Sequence, residues 1–440
     1  MIYPFILKNF VLPLGSKLMG GGISKKIKEY ESILSLQPSE IAEVQRKKLN
    51  QVLEYAVQNS PYYRSLFSDK NLPSSEISSY PILTKQNLRD KIDEIITVKE
   101  TANLHQILSS GSTGPPSKVY YSSEELAIPR AIQLIWWSWA DYEYGNSILQ
   151  TGVNLNRSKE KQIKDFFFRT KYIEALKHNE EQILQELSSL QSENRDHFVG
   201  YASSLFLFSK VALDNEIKNV QFKSVISLGE KLLPNFRESI EKAFRCKVFD
   251  TYGSSEGLMV ASQCKHGTYH IMSPHVFVEI LDENGVEVKP GEIGSVVLTG
   301  LDNFTTPLIR YDIGDMAVKG DSGACACGLN LPHLGEIIGR STEFIQTQNK
   351  KYITVQTVVR IMKFYPQIEQ FTLIKKEDNS LQLQYIGSEN LSEDIESQIT
   401  KSFSNLYDEF FEIDFLKVNQ LPRRKSGKYQ LIMNLSQDSK

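Results

Sequence analysis

Short apolar segments that end in glycine turns limit what this chain can fold into. Ser224 to Leu228 reads as a buried strand running into Gly229-Glu230, and Lys247 to Thr251 as a second strand running into Tyr252-Gly253, with helical sequence between them. Strands interleaved with helices specify an α/β body. Between 277 and 301 the pattern changes to FVEIL, the turn DENG, VEV, and then SVVLTGL after Gly291 and Gly294. Asn284-Gly285 between apolar strands is a strong hairpin signal, because both residues tolerate the positive φ of a tight turn. A mainly antiparallel subdomain is therefore expected after the α/β part.

At 440 residues the chain exceeds one ordinary core and predicts two or three folding units. The first hundred residues read as mostly helical. Ile41, Val44, Leu49, Val52, Leu53 and Ala56 recur at helical spacing behind Pro38-Ser39-Glu40, with Ser39 as the expected cap and an end near Asn59 to Pro61. Residues 171–191 read as a further amphipathic helix. The last hundred residues predict a small α+β unit. There Phe371 and Leu373 alternate before the Asp378-Asn379 turn, Leu381, Leu383 and Tyr385 alternate after it, and a helix through Ile395, Ile399, Phe403 and Leu406 follows Ser392.

A formal net charge of -3, with no segment that concentrates Lys and Arg among aromatics, gives no reason to expect a nucleic-acid partner. Met1 to Met19 is apolar, but Lys8, Asn9 and Lys17 interrupt it and Pro4 and Pro13 break it, so neither a transmembrane span nor a cleaved signal is expected. Two readings stay open there: packing on the globular body, or contact with a membrane surface. Four cysteines in a chain of this length form no disulfide framework, and a cytoplasmic setting is expected.

Residues 109–118 read SSGSTGPPSK. Gly111 and Gly114 let backbone approach an anion closely, the hydroxyls of Ser109, Ser110, Ser112 and Thr113 can donate to phosphate oxygens, and Lys118 adds a charge. Pro115 after the second glycine excludes a Walker A loop. By composition alone the stretch also fits a solvated linker. Cys264-Lys-His266 and Cys325-Ala-Cys327 supply the thiolate and imidazole donors that suit tetrahedral Zn²⁺, with His270 in reserve and Cys246 apart. Reduced structural thiols are the other reading of those cysteines. Trp136, Trp137 and Trp139 read as core, or as the wall of an apolar pocket.

Downstream of the glycine loop come YGSSEG at 252–257, IRYDIGD at 309–315, IGRSTEFI at 338–345 and LPRRKSGKYQ at 421–430. Five motifs in this order resemble the successive core motifs of the adenylate-forming superfamily, which includes acyl-CoA synthetases and peptide-synthetase adenylation domains. SLGEKLLPNFRESIEKAF at 227–244 and the late CACG are most similar to the phenylacetate-CoA ligase branch, and within it to the capsular-polysaccharide biosynthesis proteins. The resemblance implies a large N-terminal domain, 1–339, of α/β and antiparallel β elements, and a small mobile α+β lid, 340–440. It implies that Ser109 to Gly114 and Lys118 hold the ATP phosphates, that Tyr252 with Gly253 packs on adenine, and that Ser255 lies near the α-phosphate. It further implies that Glu256 binds Mg²⁺, a hard ion that prefers carboxylate and phosphate oxygens. Asp315 would hold the ribose hydroxyls with support from Arg340, and Lys428 would reach the reacting carboxylate. Asp312-Ile313 stands where the family has Arg-Thr. Members of the branch also carry a Cys/His zinc site at similar places, which implies Cys264, His266, Cys325 and Cys327 as its ligands here.

The activity implied is ATP-dependent conversion of a carboxylic acid to an acyl-adenylate with release of pyrophosphate, then transfer of the acyl group. Three outcomes remain: transfer to an amine such as an amino sugar, transfer to coenzyme A, or a homologue that binds without turnover. In thioester-forming relatives the segment after the Gly-Arg hinge carries an acid at the pivot and then glycine. Here it reads Ser341-Thr342-Glu343-Phe344 onward with Thr342 at the pivot and no glycine before Lys350, which crowds a thiol tunnel.

Overall fold

The two expected strands form and lie side by side, Ser227 opposite Asp250, in the computed structural model of the chain. The model describes residues 7, 22–67, 76–108, 117–152, 159–174, 180–232, 234–321, 323–337, 344–348, 352–362, 364–376, 380–422 and 431–434. In chain order the strands are β1 (His105–Leu108), β2 (Lys118–Tyr121), β3 (Ile148–Gly152), β4 (Thr170–Glu174), β5 (His197–Tyr201), β6 (Ser224–Leu228) and β7 (Lys247–Gly253). There follow β8 (Met259–Gln263), β9 (Tyr269–Ile271), β10 (Val276–Leu281), β11 (Ile293–Gly300), β12 (Tyr311–Lys319) and β13 (His333–Ile337). The remainder are β14 (Phe344–Gln346), β15 (Tyr352–Thr354), β16 (Gln370–Lys375), β17 (Leu381–Ile386), β18 (Ile413–Lys417) and β19 (Ile432–Asn434).

The expected antiparallel strands form after the α/β part, and they continue the sheet of the parallel strands. One 11-stranded sheet runs β10-β11-β12-β13-β9-β8-β7-β6-β5-β3-β4. It is parallel from β4 to β7 and antiparallel from β7 onward, so β7 is paired in both senses. Asn284-Gly285 forms the predicted turn, with Gly285 at φ +75°, but the following VEV segment meets β10 only through the Leu281–Glu287 bridge and β10 pairs with β11. Residues 171–174 belong to β4 rather than to a helix, which begins at Glu180. Tyr172 and Ile173 suit a strand, and parallel pairing with β3 overrides the local helical pattern.

Helices Glu180–Ser192, Ala202–Asp214 and Pro234–Phe244 cover one face of the parallel strands, where Leu149, Phe198, Val225 and Val248 meet Leu187, Phe208, Ile240 and Phe244. Each large side chain buried there contributes roughly 1.5–3 kcal/mol. On the other face Trp137 packs on Ile148, Val199, Ile226 and Phe249, so that tryptophan is core, as is Trp136. The N-terminal helices Ile23–Leu34 and Pro38–Asn59 dock through a buried network in which Lys48 Nζ donates to Asp302 Oδ1 at 2.7 Å and His275 Nδ1 lies 2.7 Å from Asp302 Oδ2. The second helix is capped at Gln37, not at Ser39: the Glu40 carboxylate accepts the Gln37 amide at 2.9 Å.

Near the C-terminus β18-β17-β16-β19 form a four-stranded sheet backed by helix Glu393–Tyr407, whose cap is Ser392 as expected. Ile345 to Ile432 supply a hydrophobic cluster made only of residues from this part of the chain. The proposed boundary at 339/340 and the hinge residues Arg340, Thr342 and Glu343 lie outside the described residues, as do all of Met1 to Met19 except Leu7. Among the described residues no helix is long and apolar enough to cross a membrane.

Candidate active site

Tyr252-Gly253-Ser254-Ser255-Glu256-Gly257 leaves the carboxyl end of β7 where the sheet changes from parallel to antiparallel. The register slips between Tyr252 and Gly253, and a Cβ on Gly253 would stand 2.8 Å from the Leu258 carbonyl oxygen, so only glycine lets the two strands close here. The turn closes through Gly257 N to Ser254 O at 3.1 Å, with Gly257 at φ +94° and its backbone against the Tyr121 hydroxyl. These constraints fix Glu256. Its carbonyl accepts the Tyr121 hydroxyl at 2.6 Å, and its carboxylate Oε1 accepts the Tyr311 hydroxyl at 2.8 Å in a site where Glu256 is 2% exposed. Ser255 is exposed beside it.

Tyr311 opens β12, the strand that also carries Asp315. The Tyr252 hydroxyl donates to Asp315 Oδ2 at 3.1 Å, so the residues implied for adenine and ribose are in contact. Asp312, which departs from the usual pattern, accepts the Gly314 amide at 2.7 Å where β12 slips its register against β11 just before Asp315. Arg310 just before it is held between Glu279 and the Tyr80 carbonyl.

Lys118 starts β2 opposite Leu108 of β1, so the strands that flank the glycine loop form an antiparallel hairpin. Tyr120 of β2 accepts Asn303 Nδ2 at 3.2 Å and the Thr306 hydroxyl at 3.1 Å, tying that hairpin to the segment before β12. Ser109, Ser110, Gly111, Ser112, Thr113, Gly114, Arg340 and Lys428 lie outside the described residues.

The sulfur cluster differs from the expectation in one ligand. Cys264, Cys325 and Cys327 come together with His270, all four donor atoms within 4.8 Å of one another, and His266 is not in that group. Cys264 and Cys325 sulfurs are 3.7 Å apart and Cys327 Sγ is 3.2 Å from His270 Nε2. Two thiolates each about 2.3 Å from one tetrahedral ion stand about 3.8 Å apart, so these residues fit Zn²⁺. Both cysteine segments are tight turns ending at Gly267 and Gly328, and the amides of His266 and Leu329 point at Cys264 and Cys327 sulfurs, each at 3.4 Å. His266 thus offers its amide, whereas His270 sits on β9, where pairing with β8 and β13 brings it to the cysteines.

The mixed sheet thus brings Tyr252 to Asp315 and Glu256 to Tyr311 near the place where its strands change from parallel to antiparallel. No family model matches the chain. It is similar to Protein CapK of Staphylococcus aureus, 25% identical over 98% of this chain and 97% of the relative, and to a phenylacetate-coenzyme A ligase of Thermus thermophilus, 20% identical over 92% and 99%. The fold is that of 2-hydroxyisobutyryl-CoA ligase, solved with 2-HIB-AMP and CoA: TM-score 0.65 at 17% identity, over 92% of each chain. These likenesses support a phenylacetate-CoA ligase-like, adenylate-forming branch close to Protein CapK and indicate an AMP-forming ligase.

Proposed function

We propose that the chain joins a carboxylic acid to AMP and passes the acyl group to an amine, with an amino sugar as the acceptor class that the resemblance to capsular-polysaccharide biosynthesis proteins favours. In the first step a carboxylate oxygen attacks the α-phosphorus of ATP and the bond to the β-phosphate oxygen breaks, releasing pyrophosphate. In the second the amine nitrogen attacks the acyl carbon, AMP leaves, and the amine gives up one proton. The observation that supports the first step is the contact of Tyr252 with Asp315 beside buried Glu256. Glu256 would hold Mg²⁺, which would supply positive charge to the phosphoryl oxygens. Ser255 and the glycine loop donate to phosphate oxygens, Arg340 supports the ribose, and Lys428 is delivered by a lid comprising residues 340–440. Retention of Glu256, Asp315, Arg340 and Lys428 argues against a homologue without turnover.

The amine rests on the sequence after the hinge, where Thr342 takes the pivot position and no glycine precedes Lys350. A coenzyme A acceptor is the second reading, favoured by full-length likeness to a relative named as a CoA ligase. Supplying the activated acid, ATP, and either coenzyme A or a set of amino sugars, with product mass as the readout, separates them. We expect acylated amine; efficient acyl-CoA formation would restore the thioester reading.

We also propose that Cys264, His270, Cys325 and Cys327 hold a structural Zn²⁺ that pins the turn after β8 to the β12–β13 connection. Protein purified without chelator should then contain about one zinc per chain. His270→Ala should lose the metal and His266→Ala should keep it. Zinc retained in the first variant would return the site to another donor.

A further inference from the structure

Among the described residues, the two strands that flank the glycine loop, β1 and β2, pair only with each other. A lone two-stranded hairpin is marginal in water, so its place is set by what it packs against. Val119 and Tyr121 turn one side of β2 into the core, while Lys118 on the other side is exposed. Apolar burial holds the strand down but is non-directional. Hydrogen bonds must set where along the body it lies.

Those bonds come from residues 303–306. Thr306 Oγ1 accepts the Tyr120 amide at 3.0 Å and donates to the Tyr120 carbonyl at 3.1 Å, and Asn303 Nδ2 donates to the same carbonyl at 3.2 Å. The segment is itself held by Glu125, in the first turn of helix Ser123–Trp139 directly after β2. Glu125 Oε1 accepts the Phe304 and Thr305 amides at 2.8 and 2.9 Å, and its Oε2 accepts the Thr305 hydroxyl at 2.6 Å and the Ser122 amide at 2.7 Å. A helix cap needs only the last of these bonds. Just before the segment, Asp302 is tied to Lys48 and His275, so 303–306 is anchored in the body as well.

Further along β2 from Lys118, the Tyr121 hydroxyl donates to the Glu256 carbonyl at 2.6 Å, and a Cβ on Gly257 would stand 2.6 Å from the same hydroxyl. Burial pushes that hydroxyl upward, so it keeps the proton that makes this bond. A continuous set of bonds therefore runs from 303–306 through β2 to the turn that carries Glu256.

We propose that Glu125 and Tyr121 are positioning residues for the triphosphate of ATP. Glu125 fixes the strand that leaves the glycine loop, and Tyr121 fixes that strand to the Glu256 turn, so that Lys118 and Glu256 are held in one register before nucleotide arrives. The inference rests on the adenylation reading above, in which both of these residues serve the phosphates. Tyr252 and Asp315 meet on the adenosine side, away from this chain of bonds. Loss of register should therefore weaken ATP far more than AMP.

The test is calorimetric binding of ATP with Mg²⁺, and of AMP, to the full chain. Glu125→Gln keeps one acceptor oxygen and loses the other, and Tyr121→Phe removes the hydroxyl alone. Misplacing a group in such a site costs up to about 10²-fold, and each variant should weaken ATP by at least ~10-fold with AMP affinity unchanged. The double variant should weaken ATP by less than the product of the two effects, because both act through one strand. Ser122→Ala removes the hydroxyl that accepts the Glu125 amide at 3.2 Å but leaves the carboxylate bonds in place. It should lower the melting temperature without changing the ratio of ATP to AMP affinity. Equal losses of ATP and AMP, unchanged ATP binding in either variant, or a Ser122→Ala change in that ratio as large as that of Glu125→Gln would make these contacts ordinary supports of the fold and overturn the inference. A full product in the double variant would overturn the shared register. Should Glu125→Gln fail to fold, Tyr121→Phe decides by the same ratio. A parental chain that binds ATP no more tightly than AMP would overturn this inference alone, and one that binds neither would overturn the adenylation reading with it.

Discussion

Lys428→Ala should lose acyl-adenylate formation by at least about 10²-fold, the scale of removing one preorganised charge from a site where charge develops, while ATP still binds. The lysine lies in the RRKSGK run, which by itself would be one more exposed basic stretch. Its proposed place on the 340–440 lid gives it a role only when the lid closes on the reacting carboxylate, so ground-state nucleotide binding should be nearly unaffected. Pyrophosphate release with a substrate acid measures the first quantity and equilibrium binding of ATP the second. Unchanged release would remove Lys428 from the site.

An effect of similar size is expected at Glu256, by a different route. Glu256→Gln keeps an oxygen to accept the Tyr311 hydroxyl, so the packing around this buried residue survives, but the negative charge proposed to hold Mg²⁺ is gone. Adenylation should fall by about 10²–10³-fold, and the magnesium concentration needed for half-maximal rate should rise. A magnesium titration of pyrophosphate release reads both. A variant with the parental magnesium dependence would show that Glu256 serves the fold alone. Tyr311→Phe provides the complementary case: it removes the hydroxyl that orients the carboxylate and leaves the charge in place, so its loss should be the smaller of the two.

What the amino-acid sequence determined by itself is local. Asn284-Gly285 makes its turn, Ser392 caps its helix, and the strands ending at Leu228 and Gly253 form because residues within a few positions of one another decide them. The order of the motifs also identified the enzyme class, since spacing along a chain is a sequence property. The tertiary structure decided which distant groups meet. His270 rather than His266 joins the cysteines because β9 pairs with both β8 and β13 and lifts its side chain to the turn between β12 and β13. Residues 171–174 become a strand because an edge position beside β3 was open to them. Glu230 meets a helix start that lies 27 residues earlier in the chain only because the fold carries one of its carboxylate oxygens to the Ser203 amide.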